Sequence, residues 1–265
     1  MASKLLCPRV RRGLLPRTER RRPLVNIKHH VCLLDADPEL AAALAPGSIE
    51  GARRHVVVPA GTVPRGPWDA ETWHSPAEGD LGLLVLEGLV LHEVDFASRG
   101  AAELLGSGDL LRPWEPHAEL LPVPAEVRWT ALAPLRIAVL DADFTLAAGR
   151  WPALMAVMLD RASRRSRALV FQLALSQVTG IEHRLLLLLW EMARRWGHVG
   201  PNGVVIRIKL PREALARLVG ARRPTVSTAL GGLQDGGSLS IDSAGHWVLH
   251  QGPLQEPAGP PPSHG

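Results

Sequence analysis

The spacing of apolar and polar positions changes rhythm near Trp151. Between Arg54 and Leu140, short apolar runs at 56–58, 83–86, 89–91, 101–105, 110–111, 127–129 and 135–140 alternate with Gly, Pro, Asp and Ser. Runs of that length, broken by turn residues roughly every ten positions, predict the strands of an antiparallel sandwich, jelly roll or barrel. Residues 63–67 and 113–124 read as loops, and Asp37 ahead of Pro38 predicts the capped start of a short helix running to Leu44. Past Trp151 the period becomes helical. Leu154, Met158, Ala162, Leu169, Leu173 and Ser176 fall near one stripe, with Arg161, Arg164, Arg165 and Arg167 around it. A long helix over 143–178 is expected, with Asp143 as its cap and Gly180 as its break. The pair Asp141 and Asp143 reads as capping chemistry rather than a metal or catalytic dyad. Residues 182–196 form a second helix, so apolar at 185–190 that most of it must be buried.

The last quarter has a more specific order. Residues 204–210 alternate like a strand, and 211–219 are helical with Glu213 in the first turn. Gly220-Ala221-Arg222-Arg223 makes a tight turn, and 224–233 are helical again with Pro224 at the start. Residues 239–241 and 247–249 flank the hairpin turn Asp242-Ser243-Ala244-Gly245. Strand, helix, turn, helix and hairpin together describe a winged helix-turn-helix. Leu215, Leu218, Val226 and Leu230 can share a small core. Arg222, Arg223, Thr225, Ser227 and Thr228 then point outward at the end of the second helix that enters a major groove, and Arg212 opens the first helix, which crosses the phosphate backbone. An arginine can bond guanine O6 and N7 together, and hydroxyls reach phosphates or bases. A packing hairpin with solvated arginines is the rival reading of two helices and a turn; the added strand and wing count against it.

Composition sharpens this division. The 265 residues are 46% hydrophobic and 21% charged, an ordinary content for folded domains. No apolar run approaches the ~18 residues of a membrane span, and no signal-peptide pattern follows the basic start. Two cysteines, Cys7 and Cys32, exclude a disulfide scaffold and a four-thiolate metal site, and the expectation is a soluble, cytoplasmic protein. Charge is blocked: residues 1–30 carry +8, 31–149 carry −11, 150–223 carry +10 and 224–265 carry −3. The basic block is expected to face a polyanion. The resulting division is a basic disordered extension at 1–30, a jelly-roll domain at 31–145, a helix at 146–180, the winged helix-turn-helix at 181–250 and a disordered Pro/Gly tail at 251–265.

The run Leu215-Ala216-Arg217-Leu218-Val219-Gly220-Ala221-Arg222-Arg223-Pro224-Thr225-Val226-Ser227-Thr228-Ala229-Leu230 resembles the DNA-binding motif of the cyclic-AMP receptor/fumarate–nitrate regulator (Crp/Fnr) family. Arg223 matches that family's base-reading arginine, and Thr225, Val226, Ser227 and Leu230 also match. Arg222, Pro224 and Thr228 stand where Ser, Glu and Arg are usual, so a different operator is implied. Upstream, residues 82–90 resemble paired sensor strands with a Gly turn, 104–113 the Gly-Asp turn before the ligand cassette, and 151–178 the dimer helix. The resemblance implies an α+β chain with an N-terminal antiparallel, cyclic-nucleotide-binding-like jelly roll, a long dimerisation helix and the winged helix-turn-helix. It also implies a homodimer on a palindromic double-stranded DNA operator, with RNA polymerase as a candidate partner.

The sensor departs from the family where a ligand would sit. After Asp109 comes Leu110-Leu111-Arg112-Pro113-Trp114-Glu115-Pro116, without the Gly-Glu and Arg-Ser/Thr-Ala runs that hold a cyclic phosphate. Arg112 reads as a surface or salt-bridged arginine, and cyclic AMP is not the expected effector. His29, His30, His74, His92 and His117 are haem ligands by residue type only, the cysteines cannot hold an iron–sulfur cluster, and no metal-binding His-x-His set stands here. No cofactor and no catalytic signature are expected. The reading is a dimeric, sequence-specific transcription regulator with a degenerate sensor, not an enzyme. Two alternatives stand beside it: a ligand-independent constitutive regulator, and a small-molecule-binding or enzymatic jelly roll with an accessory nucleic-acid module.

Overall fold

The computed structural model describes residues 27–74, 76–96, 99–114 and 125–250. Most of the expected basic extension, the Pro/Gly tail, Cys7, His117 and most of the 113–124 loop lie outside the described residues. Residues 27–30, assigned above to the extension, instead open strand β1 (Ile27–Cys32).

The N-terminal half is a roll of two sheets. The first has the order β1, β2 (Val57–Val63), β9 (Leu135–Leu140), β4 (Gly82–Glu87), β7 (Leu110–Leu111). The second runs β3 (Gly66–Pro67), β8 (Glu126–Ala131), β5 (Leu89–Phe96), β6 (Arg99–Gly106). All pairings are antiparallel. The apolar runs of β4 and β9 follow from burial on both faces, which removes the polar alternation of a half-solvated strand. Leu83, Val85, Leu135, Ile137 and Val139 point into the roll, against Trp68, Trp73 and Trp129. Leu84, Leu86, Ala138 and Leu140 point outward into a layer of short helices. These are α1 (Leu33–Ala36), α2 (Pro38–Ala42), α3 (Pro46–Arg53) and α5 (Ala142–Ala148), while α4 (Ala70–Trp73) closes the roll on the other side.

Further sequence expectations need correction. Residues 82–90 are not a paired hairpin: β4 and β5 lie in different sheets. Gly88, at φ +96, carries the chain between them, and a Cβ there would sit 2.3 Å from the Pro134 carbonyl. The helix expected over 143–178 is two. α5 ends at Gly149, and α6 (Pro152–Gln177) starts afresh with Pro152 in its first turn, where the missing N–H breaks no intrahelical bond. The cap of α5 is Asp141, whose carboxylate accepts from the Phe144 N–H at 2.9 Å. Asp37 precedes α2 but makes no side-chain cap bond, because its carboxylate meets the Arg161 guanidinium at 2.7 Å.

Gly180, at φ +84, turns α6 into α7 (Ile181–Trp196). The C-terminal part adds a sheet ordered β10 (His198–Gly200), β11 (Gly203–Ile206), β13 (Trp247–Leu249), β12 (Leu239–Ile241), with α8 (Arg212–Val219) and α9 (Arg223–Asp235) packed on α7. The strand expected over 204–210 stops at Ile206. Leu91 and Leu104, on the outer face of the second sheet, share one core with Leu185, Leu188, Leu189 and Met192 of α7 and Leu215, Leu218, Val226 and Leu230 of α8 and α9. The roll and the helix-turn-helix are therefore joined by apolar packing.

Candidate nucleic-acid interface

The turn between α8 and α9 is built as its sequence requires. Gly220 is left-handed at φ +63, ψ +42. The Ala221 N–H donates to the Ala216 carbonyl at 2.9 Å and the Gly220 N–H to the Arg217 carbonyl at 3.3 Å, the pattern of a Schellman motif. Arg184 of α7 donates to the Val219 carbonyl at 2.6 Å and to the Val178 carbonyl, tying the end of α8 to the end of α6. The buried residues of α9 are Val226, Ala229, Leu230 and Leu233.

That burial leaves the opposite face of α9 outward. Arg222, Arg223, Thr225, Ser227 and Thr228 are all exposed, together with Arg212 at the start of α8. All six expected site residues thus fall on one helix-turn-helix, five of them around the first two turns of α9. Arg222 occupies the cap position without a side-chain cap bond, and Pro224 supplies no N–H, as its place in the first turn allows. The Thr228 hydroxyl donates back to the Pro224 carbonyl at 3.3 Å. The Arg223 Nε meets Glu213 Oε1 at 2.9 Å, a partner the sequence reading noted only as an acid in the first turn of α8.

The wing is equally local. The Asp242 carboxylate accepts from the His246 N–H at 2.8 Å and the Ala244 N–H at 2.9 Å, and Gly245 takes φ +78. These backbone donors, the His246 N–H foremost, hold the Asp242 carboxyl below its ordinary pKa. Lys209 donates to the Ala244 carbonyl at 3.0 Å, joining the wing tip to the segment ahead of α8. Lys209 was missed because an isolated lysine in a short connection carries no pattern.

The basic block behaves otherwise than its charge suggested. Arg161 pairs with Asp37 and Glu39, Arg164 with Glu39, Arg165 with Glu103, Arg195 with Asp109, and Arg217 with Glu93 and Asp95. The acidic block of the roll supplies these partners, so much of the +10 is neutralised within the molecule. Asp109 also closes its own turn by accepting from the Gly106 N–H at 2.7 Å.

In the roll, three tryptophans fill the space between the sheets. Trp68 makes edge contacts with Trp73 and Trp129 at 6.3 and 6.0 Å between centroids, and His92 stacks on Trp129 at 4.1 Å. Arg112 is exposed and lies 3.4 Å from the Asp80 carbonyl and 3.5 Å from that of Leu81. His29 and His30 are exposed on β1, while His74 is buried against Asp80 at 2.8 Å. Among the described residues, no group of three or more His, Cys, Asp or Glu is placed to hold a metal ion. Nor is any helix of them long and apolar enough to cross a membrane.

The chain thus joins a jelly roll to a winged helix-turn-helix through the long helix α6. Residues 183–251 match the family model of the Crp-like helix-turn-helix domain. The global nitrogen regulator of Synechocystis is 38% identical over 58 residues, which are 22% of this chain and 26% of that protein; the match spans about a quarter of the curated relative. Among solved structures, a CooA mutant from Carboxydothermus hydrogenoformans superposes with a TM-score of 0.55 at 18% identity, over 72% of this chain and 83% of that one. FixK2 from Bradyrhizobium japonicum gives 0.53 at 18% identity, over 72% and 92%. A cyclic nucleotide-binding domain containing protein from Listeria monocytogenes gives 0.57 at 16% identity, over 81% and 97%. Residues 183–251 thus match a Crp-like helix-turn-helix, and the chain as a whole shares the fold of the CooA and FixK2 structures.

Proposed function

We propose that the protein is a non-enzymatic, cytoplasmic transcription regulator that binds a palindromic double-stranded DNA operator as a homodimer. The observation that carries this reading is the outward face of α9, where Arg222, Arg223, Thr225, Ser227 and Thr228 stand exposed over a buried apolar core, with Arg212 exposed at the start of α8. Dimerisation is supported by α6, which leaves Leu159, Leu169, Val170 and Leu173 exposed along its length. Apolar side chains at that spacing on a 26-residue helix suit a helix-to-helix seam. A two-fold dimer would set its two α9 helices into successive major grooves, about 34–36 Å apart. RNA polymerase is the partner such a regulator would meet at a promoter. The tryptophan-filled roll supports a sensor that takes no cyclic nucleotide, and it equally favours the ligand-independent form of the same reading.

Binding-site selection from random duplexes tests the proposal, followed by two variants on the selected operator. Arg223→Ala should cost about 1–3 kcal/mol and flatten preference at one base pair of each half-site. Arg212→Ala should weaken all DNA similarly and reduce the salt slope by about one per subunit. Failure to enrich any sequence would refute the proposal. Equal losses across a substituted panel for Arg223→Ala would move base reading to Thr225, Ser227 or Thr228.

A further inference from the structure

The ion pair between α8 and α9 has a geometry that bears on sequence discrimination. Glu213 and Arg223 sit at the N-terminal ends of their helices, both on the exposed side of the turn, with side chains 63% and 66% exposed. The contact is made through Arg223 Nε, at 2.9 Å from Glu213 Oε1. A guanidinium has two edges that can bond bidentately: one uses Nε and one terminal nitrogen, the other uses both terminal nitrogens. With Nε engaged by Glu213, the second edge is the one left to project, and it matches guanine O6 and N7.

Resting on the DNA-binding reading above, we infer that Glu213 is a specificity-determining positioning residue. It orients Arg223 for end-on recognition of guanine and denies it the freer conformations in which it would grip any phosphate. Its carboxylate also brings a negative charge to a surface that meets phosphates, so it lowers affinity for all DNA. These two effects have opposite signs for specific and non-specific binding. A residue that merely stabilised the turn would raise or lower both together.

The experiment measures full-length wild type, Glu213→Gln, Glu213→Asp and Arg223→Ala by fluorescence anisotropy at one salt concentration. The probes are the selected operator, its single-base-substituted panel and a shuffled duplex. In Glu213→Gln, binding to the shuffled duplex should tighten about threefold as a negative charge leaves the interface. Discrimination at the guanine read by Arg223 should fall by up to about fivefold, the range of an exposed ion pair. Glu213→Asp keeps the charge but not the reach; it should lose discrimination without gaining non-specific affinity. The pair is exposed, so all variants should melt with the wild type. Unchanged discrimination in Glu213→Gln overturns the inference, as does a parallel loss on operator and shuffled duplex. A loss at a base pair other than the one Arg223→Ala affects also overturns it, since Glu213 would then be reading cytosine itself. A wild type without sequence preference would instead refute the DNA-binding reading.

Discussion

Replacing Arg165 by Met should destabilise the protein in a way that depends on pH. Arg165 of α6 makes two hydrogen bonds of 3.0 Å to the Glu103 carboxylate on β6, and His92 lies 3.6 Å away on the other side. The Glu103 side chain is 11% exposed and that of Arg165 is 23%. Burial pushes the Glu103 carboxyl upward, but the nearby His92 imidazole and the hydrogen bonds and charge of Arg165 outweigh it and hold the group below its ordinary value. Methionine keeps much of the apolar stem of Arg165, so the loss falls mainly on the carboxylate. Removing one partner of a buried pair costs about 3–5 kcal/mol, and the partial exposure of Arg165 brings the expectation to about 2–3 kcal/mol at pH 7. The sign of the pH effect follows. In the wild type, Glu103 contributes stability above its unfolded pKa and loses it as pH falls through the lower folded value. In the variant, burial dominates and raises the folded pKa, so acidification protonates Glu103 and relieves the penalty. The difference between the two proteins should therefore shrink from pH 7 towards pH 4. Urea unfolding followed by tryptophan fluorescence at fixed protein concentration measures it, and Glu103→Gln in the Arg165→Met background should recover most of the loss. A difference below about 0.5 kcal/mol at pH 7, or one that does not change with pH, would refute the argument.

Three further outcomes are expected. Gly231 in α9 has open space where a Cβ would go, so Gly231→Ala should raise stability by up to about 1 kcal/mol in thermal unfolding, whereas Gly203→Ala, at φ +135 and 2.2 Å from the Leu249 carbonyl, should lower it by more than that. Leu173→Glu on the exposed stripe of α6 should give a monomer by light scattering and weaken operator binding at least about tenfold, and an unchanged dimer would exclude that seam. Calorimetry with cyclic AMP or cyclic GMP should give no binding heat; micromolar binding would show that the tryptophans yield and would return attention to Arg112.

The helix-turn-helix was legible because its determinants are local. Gly220 at the turn, Pro224 in the first turn of α9 and the apolar set Leu215, Leu218, Val226 and Leu230 act within one stretch of chain, and the structure uses each as the pattern implied. The roll was legible as strands but not as a topology. Period-two patterning says which residues are buried and not which sheet they join, so nothing in it shows that Gly88 carries the chain from β4 in one sheet to β5 in the other. Capping at Asp37 misled for a related reason. Asp37 has the right place ahead of Pro38, but Arg161, more than a hundred residues later, takes its carboxylate. Pairings over that distance leave no local trace.

The same long-range pairing changes what the charge blocks mean. The basic block reads in sequence as facing a polyanion, yet the arginines of α6, together with Arg195 and Arg217, are largely turned towards the acids of the roll. Between Arg207 and Arg223, the side chains of Arg207, Lys209, Arg212, Arg222 and Arg223 are exposed, with Arg223 against Glu213. Under the proposed reading, this stretch rather than the whole basic block draws a duplex. Within α8 the division is made residue by residue. Arg212 and Arg217 are five positions apart, about 140° around a helix of 3.6 residues per turn, so they cannot share a face. Arg217 is bound to Glu93 and Asp95 on β5, and Glu213, one turn earlier on α8, meets Arg223 of α9. The helix that supports α9 is thus fastened directly to a strand of the roll.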